Sequence, residues 1–170
     1  MPYHHLLKGC LAFLALICAA CANTPPQTQA EFRTFLANDP SGRDEKVKST
    51  RPMADVKADV IAFAKKCYGF TVLDSWSAAG KPKNFKQFYY AVWSDKSRKG
   101  WETFEIRVDN NPRPKGAPEG GRWIFLTDFK PFKGGGTLAE IIYYQHWTSF
   151  DYQTDIKDIM QGRQPACRMK

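Results

Sequence analysis

Histidine and cysteine are scarce in this chain. Of 170 residues three are histidine and five cysteine, and only His146, Cys67 and Cys167 lie beyond residue 21. That scarcity excludes a disulfide-packed miniprotein and leaves a zinc site without clustered ligands. GxSxG, HExxH, P-loop and GxGxxG motifs are absent, so the familiar hydrolase, metalloprotease and nucleotide-binding signatures are missing. No internal repeat occurs, and no apolar run reaches the roughly 20 residues of a spanning helix. What is present argues for a folded chain: 43% of residues are hydrophobic and 14% aromatic, too many for disorder, in a length that suits one domain.

The first eight residues carry one cation, Lys8, and Gly9 to Ile17 is uncharged and apolar before Asn23, Thr24, Pro25 and Pro26 end the run. This is the pattern of a secretory signal over residues 1–20. Its boundary is Cys18-Ala19-Ala20-Cys21, small residues followed by a cysteine. The boundary resembles the lipobox of bacterial lipoproteins, with Cys18 where that family prefers Leu, Val or Ile. The resemblance implies cleavage before Cys21, acyl chains on Cys21, and membrane anchorage in the cell envelope. Ala22 follows where an aspartate would favour the inner membrane, so the resemblance implies the periplasmic face of the outer membrane. The alternative is an ordinary signal peptide cut after Ala20 or Ala22. Cys10 and Cys18 then belong to the leader.

Residues 21–51 are rich in Pro, Gln, Thr, Ser and charge, the composition of a flexible tether. Phe32, Phe35 and Leu36 are spaced so that a short turn of helix could dock there. From residue 52 a single α+β domain is expected to run to residue 170. Its first element is a helix over 52–68 with Val56, Val60, Phe63 and Cys67 on one face, Thr50 as cap and Gly69 as stop.

The period then changes to two. Strands are expected at 70–77, 85–93, 101–109, 122–130 and 138–150, separated by glycine- and proline-rich breakers. The last of these also suits a helix, but its β-branched and aromatic residues favour strand. A second helix is expected over 151–162, with Ile156, Ile159 and Met160 on one face and Ser149 or Asp151 as cap. The fold class is therefore α+β: an N-terminal helix, an antiparallel meander of four or five strands, and a C-terminal helix, the helices on one sheet face.

In an exported chain Cys67 and Cys167 are expected to form a disulfide; they lack the CxxC spacing of a redox pair. His146 could act as a general base with Asp128 or Asp151, the basis of a hydrolase reading, but a lone histidine on a strand is usually structural. Gly134-Gly135-Gly136 reads as a glycine hairpin rather than an anion cradle. Aromatic pairs such as Tyr89/Tyr90 and Tyr143/Tyr144 suggest that both sheet faces carry rings. The second face is then a candidate ligand or partner groove.

Cations are in excess: 25 Lys and Arg, Lys8 alone in the leader, against 17 Asp and Glu. Export removes nucleic acid as a partner. Lys81, Lys83, Lys96, Arg98, Lys99, Arg113, Lys115 and Lys133 are the candidate anion-binding residues, for anionic envelope components. No cofactor or metal is expected. The expected function is that of a lipid-anchored, non-enzymatic envelope protein binding a partner protein or anionic component. The alternatives are a carrier of an apolar ligand between sheet and helices, and the His146 hydrolase.

Overall fold

The structure is a computed structural model that describes residues 24–68, 71–78, 81–111, 113, 115–145 and 151–167, with backbone alone at 71–78, 81–87 and 95–97. Cys21, Gly69, His146 and Ser149 lie outside the described residues, so the expectations resting on them do too.

The elements in chain order are α1 (Gln29–Asn38), β1 (Gly42–Ser49), α2 (Met53–Cys67), β2 (Thr71–Ala78) and β3 (Lys81–Arg98). There follow β4 (Trp101–Asn111), β5 (Arg122–Pro131), β6 (Thr137–Tyr144) and α3 (Tyr152–Met160), with a 3-10 turn at Lys133–Gly135. Among the described residues the strands form one six-stranded sheet, ordered β1-β6-β5-β4-β3-β2. Every neighbouring pair is antiparallel. Strands β2 to β6 are the expected meander, and the fold is α+β.

Helices α2 and α3 cover one face. Val56, Val60 and Ala64 of α2 and Ile156, Ile159 and Met160 of α3 are buried against Phe104, Ile106, Phe125, Phe129 and Ile141 of the sheet. Each fully buried aliphatic or aromatic side chain stabilises the fold by about 1.5–3 kcal/mol. Phe104, Ile106 and Val108 alternate with Thr103, Glu105 and Arg107 as the period-two pattern requires. A β-bulge interrupts the β4–β5 register after Ile106, where Ile106 pairs with Phe125 but Arg107 with Trp123. The extra residue, Ile124, joins Phe125 in the helix-side core, while Trp123 turns to the other face.

The expected tether is corrected over residues 29–49. Phe32 and Leu36 of α1 pack with Trp123, Leu126 and Ile142 on the outer sheet face, and β1 pairs with β6 from Gly42↔Tyr144 to Ser49↔Thr137. The end of α1 meets the start of β1 so closely that a Cβ at Gly42 would fall 2.0 Å from the Leu36 carbonyl oxygen; only glycine fits there. Thr28 caps α1, its hydroxyl accepting from the Glu31 amide at 3.1 Å.

Smaller corrections follow the same logic. Pro52, not Thr50, occupies the N-cap of α2, its fixed φ setting the turn without a side-chain bond. Asp151 precedes α3 but makes no capping bond to it. Strand β3 begins at Lys81 rather than residue 85, and β6 ends at Tyr144. The glycine run forms the β5–β6 turn as expected, with Gly134 and Gly135 at φ of 73° and 80°.

Candidate functional site

The register sorts the candidate cations between opposite ends of the sheet. Lys86 of β3 pairs with Asn111 at the end of β4, so Lys81 and Lys83 share one end with Arg113 and Lys115 of the β4–β5 connection. Arg98 pairs with Trp101 across the β3–β4 turn, and Pro131 pairs with Thr137. Lys96, Arg98, Lys99 and Lys133 therefore lie at the other end. The eight residues form two groups rather than one patch.

The described side chains differ in what they offer an anion. Arg113 donates from Nε to Asp109 Oδ1 at 2.9 Å, and that guanidinium holds the Asp109 carboxyl below its ordinary range. Arg98 donates to Glu140 Oε2 at 2.9 Å. It also stacks on the Trp101 ring, 4.0 Å from the centroid, with the Lys130 ammonium 4.3 Å from the same centroid. Lys99, Lys115 and Lys133 are exposed.

The outer face carries a polar network that the sequence did not announce. Asp128 is fully buried and accepts from Arg33 Nε at 2.9 Å and Nη2 at 2.6 Å, a fork from α1, while Thr103 donates at 2.5 Å. One turn of α1 earlier, Gln29 Nε2 donates to Glu105 Oε2 at 2.6 Å, as Trp123 Nε1 does at 2.8 Å. Arg107 pairs with the other Glu105 oxygen at 2.6 Å and lies over the Trp123 ring, 4.3 Å from its centroid. These pairs bind α1 to β4 and β5 and commit Asp128, the proposed partner of His146, to α1.

Beside the start of α1 an open cleft of about 500 Å³ is lined by residues including Gln29, Ser94, Arg107, Glu119 and Trp123. Tyr90 and Val92 of β3 are exposed at 44% and 43%; their register partners Arg107 and Glu105 lie on this face. Both sheet faces therefore carry aromatic residues, and α1 covers the outer one at Trp123, Leu126 and Ile142 while Tyr90 and Val92 stay exposed.

At the tail, the Cys67–Cys167 disulfide closes a loop of 100 residues, with the two Cα atoms 5.3 Å apart. Cys167 packs at the margin of the helix-side core. On β1, burial opposes ionisation of Glu45, but bonds from Lys157 and Tyr143 outweigh it and hold the carboxyl below its ordinary range. Burial and Glu45 push the Tyr143 hydroxyl up to about 12.

No group of His, Cys, Asp and Glu that could hold a metal ion occurs among the described residues. No described helix is long and apolar enough to cross a membrane. No family model, curated protein or solved structure matches the chain.

Proposed function

We propose that the protein is a lipid-anchored envelope protein that works by binding, holding a basic surface toward a partner protein or an anionic envelope component. The Cys18-Ala19-Ala20-Cys21 boundary carries this reading. The extracytoplasmic setting is supported by a disulfide between the two body cysteines. Two or three acyl chains on Cys21 give lasting anchorage, since each buried methylene contributes about 0.8 kcal/mol.

The binding surface is the end bearing Arg98, Lys99 and Lys133, away from the point where residues 24–28 join the body. Lys99 and Lys133 are exposed at that end, which also holds Trp101 with Arg98 and Lys130 over its ring. Growth on a labelled fatty acid tests the anchor. Label is expected on the wild-type chain and not on Cys21→Ala; no label on either, or equal label on both, overturns it. Charge reversal by Lys99→Glu with Lys133→Glu is expected to weaken retention on an immobilised anionic cell-wall polymer by more than about tenfold; unchanged retention overturns this surface.

A further inference from the structure

The sheet register carries the β2–β3 pairing beyond the end of β4. Thr71, Val72 and Leu73 pair with Phe88, Gln87 and Lys86, and Lys86↔Asn111 is the last pair that β3 makes with β4. Among the described residues, 74–78 and 81–85 therefore pair with each other alone. They form a two-stranded ribbon without a further strand beside it among those residues, an arrangement that is marginal in water without something to pack on. Pro82 fits within β3 because that part of the strand has a neighbour on one side only. The pairs Asp74↔Phe85, Trp76↔Lys83 and Ala78↔Lys81 occupy one face of the ribbon.

The ribbon projects from the end of the sheet where the chain joins the body. The Gln27 side-chain amide donates to the Gly116 carbonyl at 3.0 Å, tying the incoming segment to the β4–β5 connection. Five residues separate Cys21 from Gln27, and the six extended steps between them reach about 20 Å at most. A Cys21 held in a bilayer thus keeps this end of the molecule at the membrane surface. Had residues 21–51 been a free tether, no orientation would follow; with α1 and β1 folded onto the sheet, one does.

We infer that this end is a lipid-headgroup docking surface, the paired segments 74–78 and 81–85 and the β4–β5 connection resting on the anionic bilayer that anchors Cys21. The inference rests on the acylation reading above. Its chemistry is that of an interfacial surface. Trp76 and Phe85 are ring residues of the kind that settle at headgroup depth, and Lys81, Lys83 and exposed Lys115 suit lipid phosphates. The other cation group is then directed away from the membrane.

Photocrosslinking in bacterial cells tests the orientation. The full chain is expressed with a photoreactive phenylalanine analogue replacing Trp76, Lys115, Lys99 or Lys133, in cells whose phospholipids carry labelled phosphate, and acylation is scored on the same samples. Phospholipid adducts are expected at positions 76 and 115 and not at 99 and 133. Acylated protein with no adduct at 76 and 115, or with equal adducts at all four positions, overturns the docking while leaving the anchor intact. Absence of acyl label removes the anchor and the docking together. In a chain lengthened by 20 Gly/Ser residues after Asn23, where confinement no longer sets the orientation, Lys81→Glu, Lys83→Glu and Lys115→Glu combined should lower the position 76 yield by at least about fivefold; an unchanged yield removes the headgroup contribution.

Discussion

Asp128 is the residue whose environment most constrains the fold. A carboxylate with no exposed surface survives as an ion only where bonds replace its hydration. Here the Arg33 fork and the Thr103 hydroxyl supply them. Arg33→Ala leaves that charge buried with one strong partner fewer, and is expected to cost about 3–5 kcal/mol in urea unfolding. Replacing both, Arg33→Leu with Asp128→Leu, should cost less than Arg33→Ala alone, because no charge is then stranded. A double variant worse than the single would show that the pair itself, not the orphaned charge, sets the cost. The disulfide acts on the unfolded chain instead. Cys167→Ala is expected to lower stability by up to roughly 4–5 kcal/mol for a loop of this length. An unchanged unfolding midpoint under reducing and oxidising conditions would remove the staple.

At the level of elements, β1 explains both a pH dependence and the limits of the sequence reading. Glu45 binds Tyr143 of β6 and Lys157 of α3, and Glu102 accepts from Lys57 and from Trp93 at 2.5 Å and 2.6 Å. Both carboxyls are held below the ordinary value of 4.5. A carboxyl with a depressed folded value stabilises the fold above its unfolded value, and that contribution is lost as pH falls through the folded one. The melting temperature is therefore expected to drop as pH falls below the ordinary value of 4.5, with Glu45→Gln and Glu102→Gln together flattening part of the drop. Each pair is partly exposed and contributes roughly half a kcal/mol. A double variant with an unaltered pH profile would assign the acid sensitivity elsewhere. The chemistry that makes β1 informative also hid it. GRDEKVKS has one aliphatic side chain, Val47, and five charges, because an edge strand has only one neighbour and charge guards its open side. Period-two reading needs a buried face, which β4 has and β1 lacks. The first half of β3 escaped for the same reason: lysines and Pro82 belong to a ribbon with no sheet beyond it. In α1 the apolar spacing of Phe32 and Leu36 was legible, but its partners on the sheet, Trp123, Leu126 and Ile142, lie some 90 or more residues later. Cation content was legible too. Its division between two ends was not, since only the register places Lys81 at the end of the sheet that holds Lys115 and away from Lys99.

For the whole molecule, the proposed docking has two contributions, a short reach and a basic surface, and they can be separated by length and salt. With Cys21 acylated as proposed, a chain reach of about 20 Å from Cys21 to Gln27 would by itself hold the ribbon end near the bilayer whatever the ionic strength. Inserting 20 Gly/Ser residues between Asn23 and Thr24 gives a tether with a root-mean-square span of about 25 Å, long enough for the body to turn over. Orientation then depends on attraction between Lys81, Lys83 and Lys115 and anionic headgroups, which is screened as the Debye length falls to about 3 Å at 1 M salt. In vesicles containing phosphatidylglycerol, lipid adducts at position 115 of the wild-type chain should change less than twofold between 0.1 M and 1 M salt. In the lengthened chain they should fall severalfold, with adducts at position 133 rising in step. A lengthened chain whose pattern ignores salt would mean that tether length, and not charge, decides which end of the sheet meets the membrane.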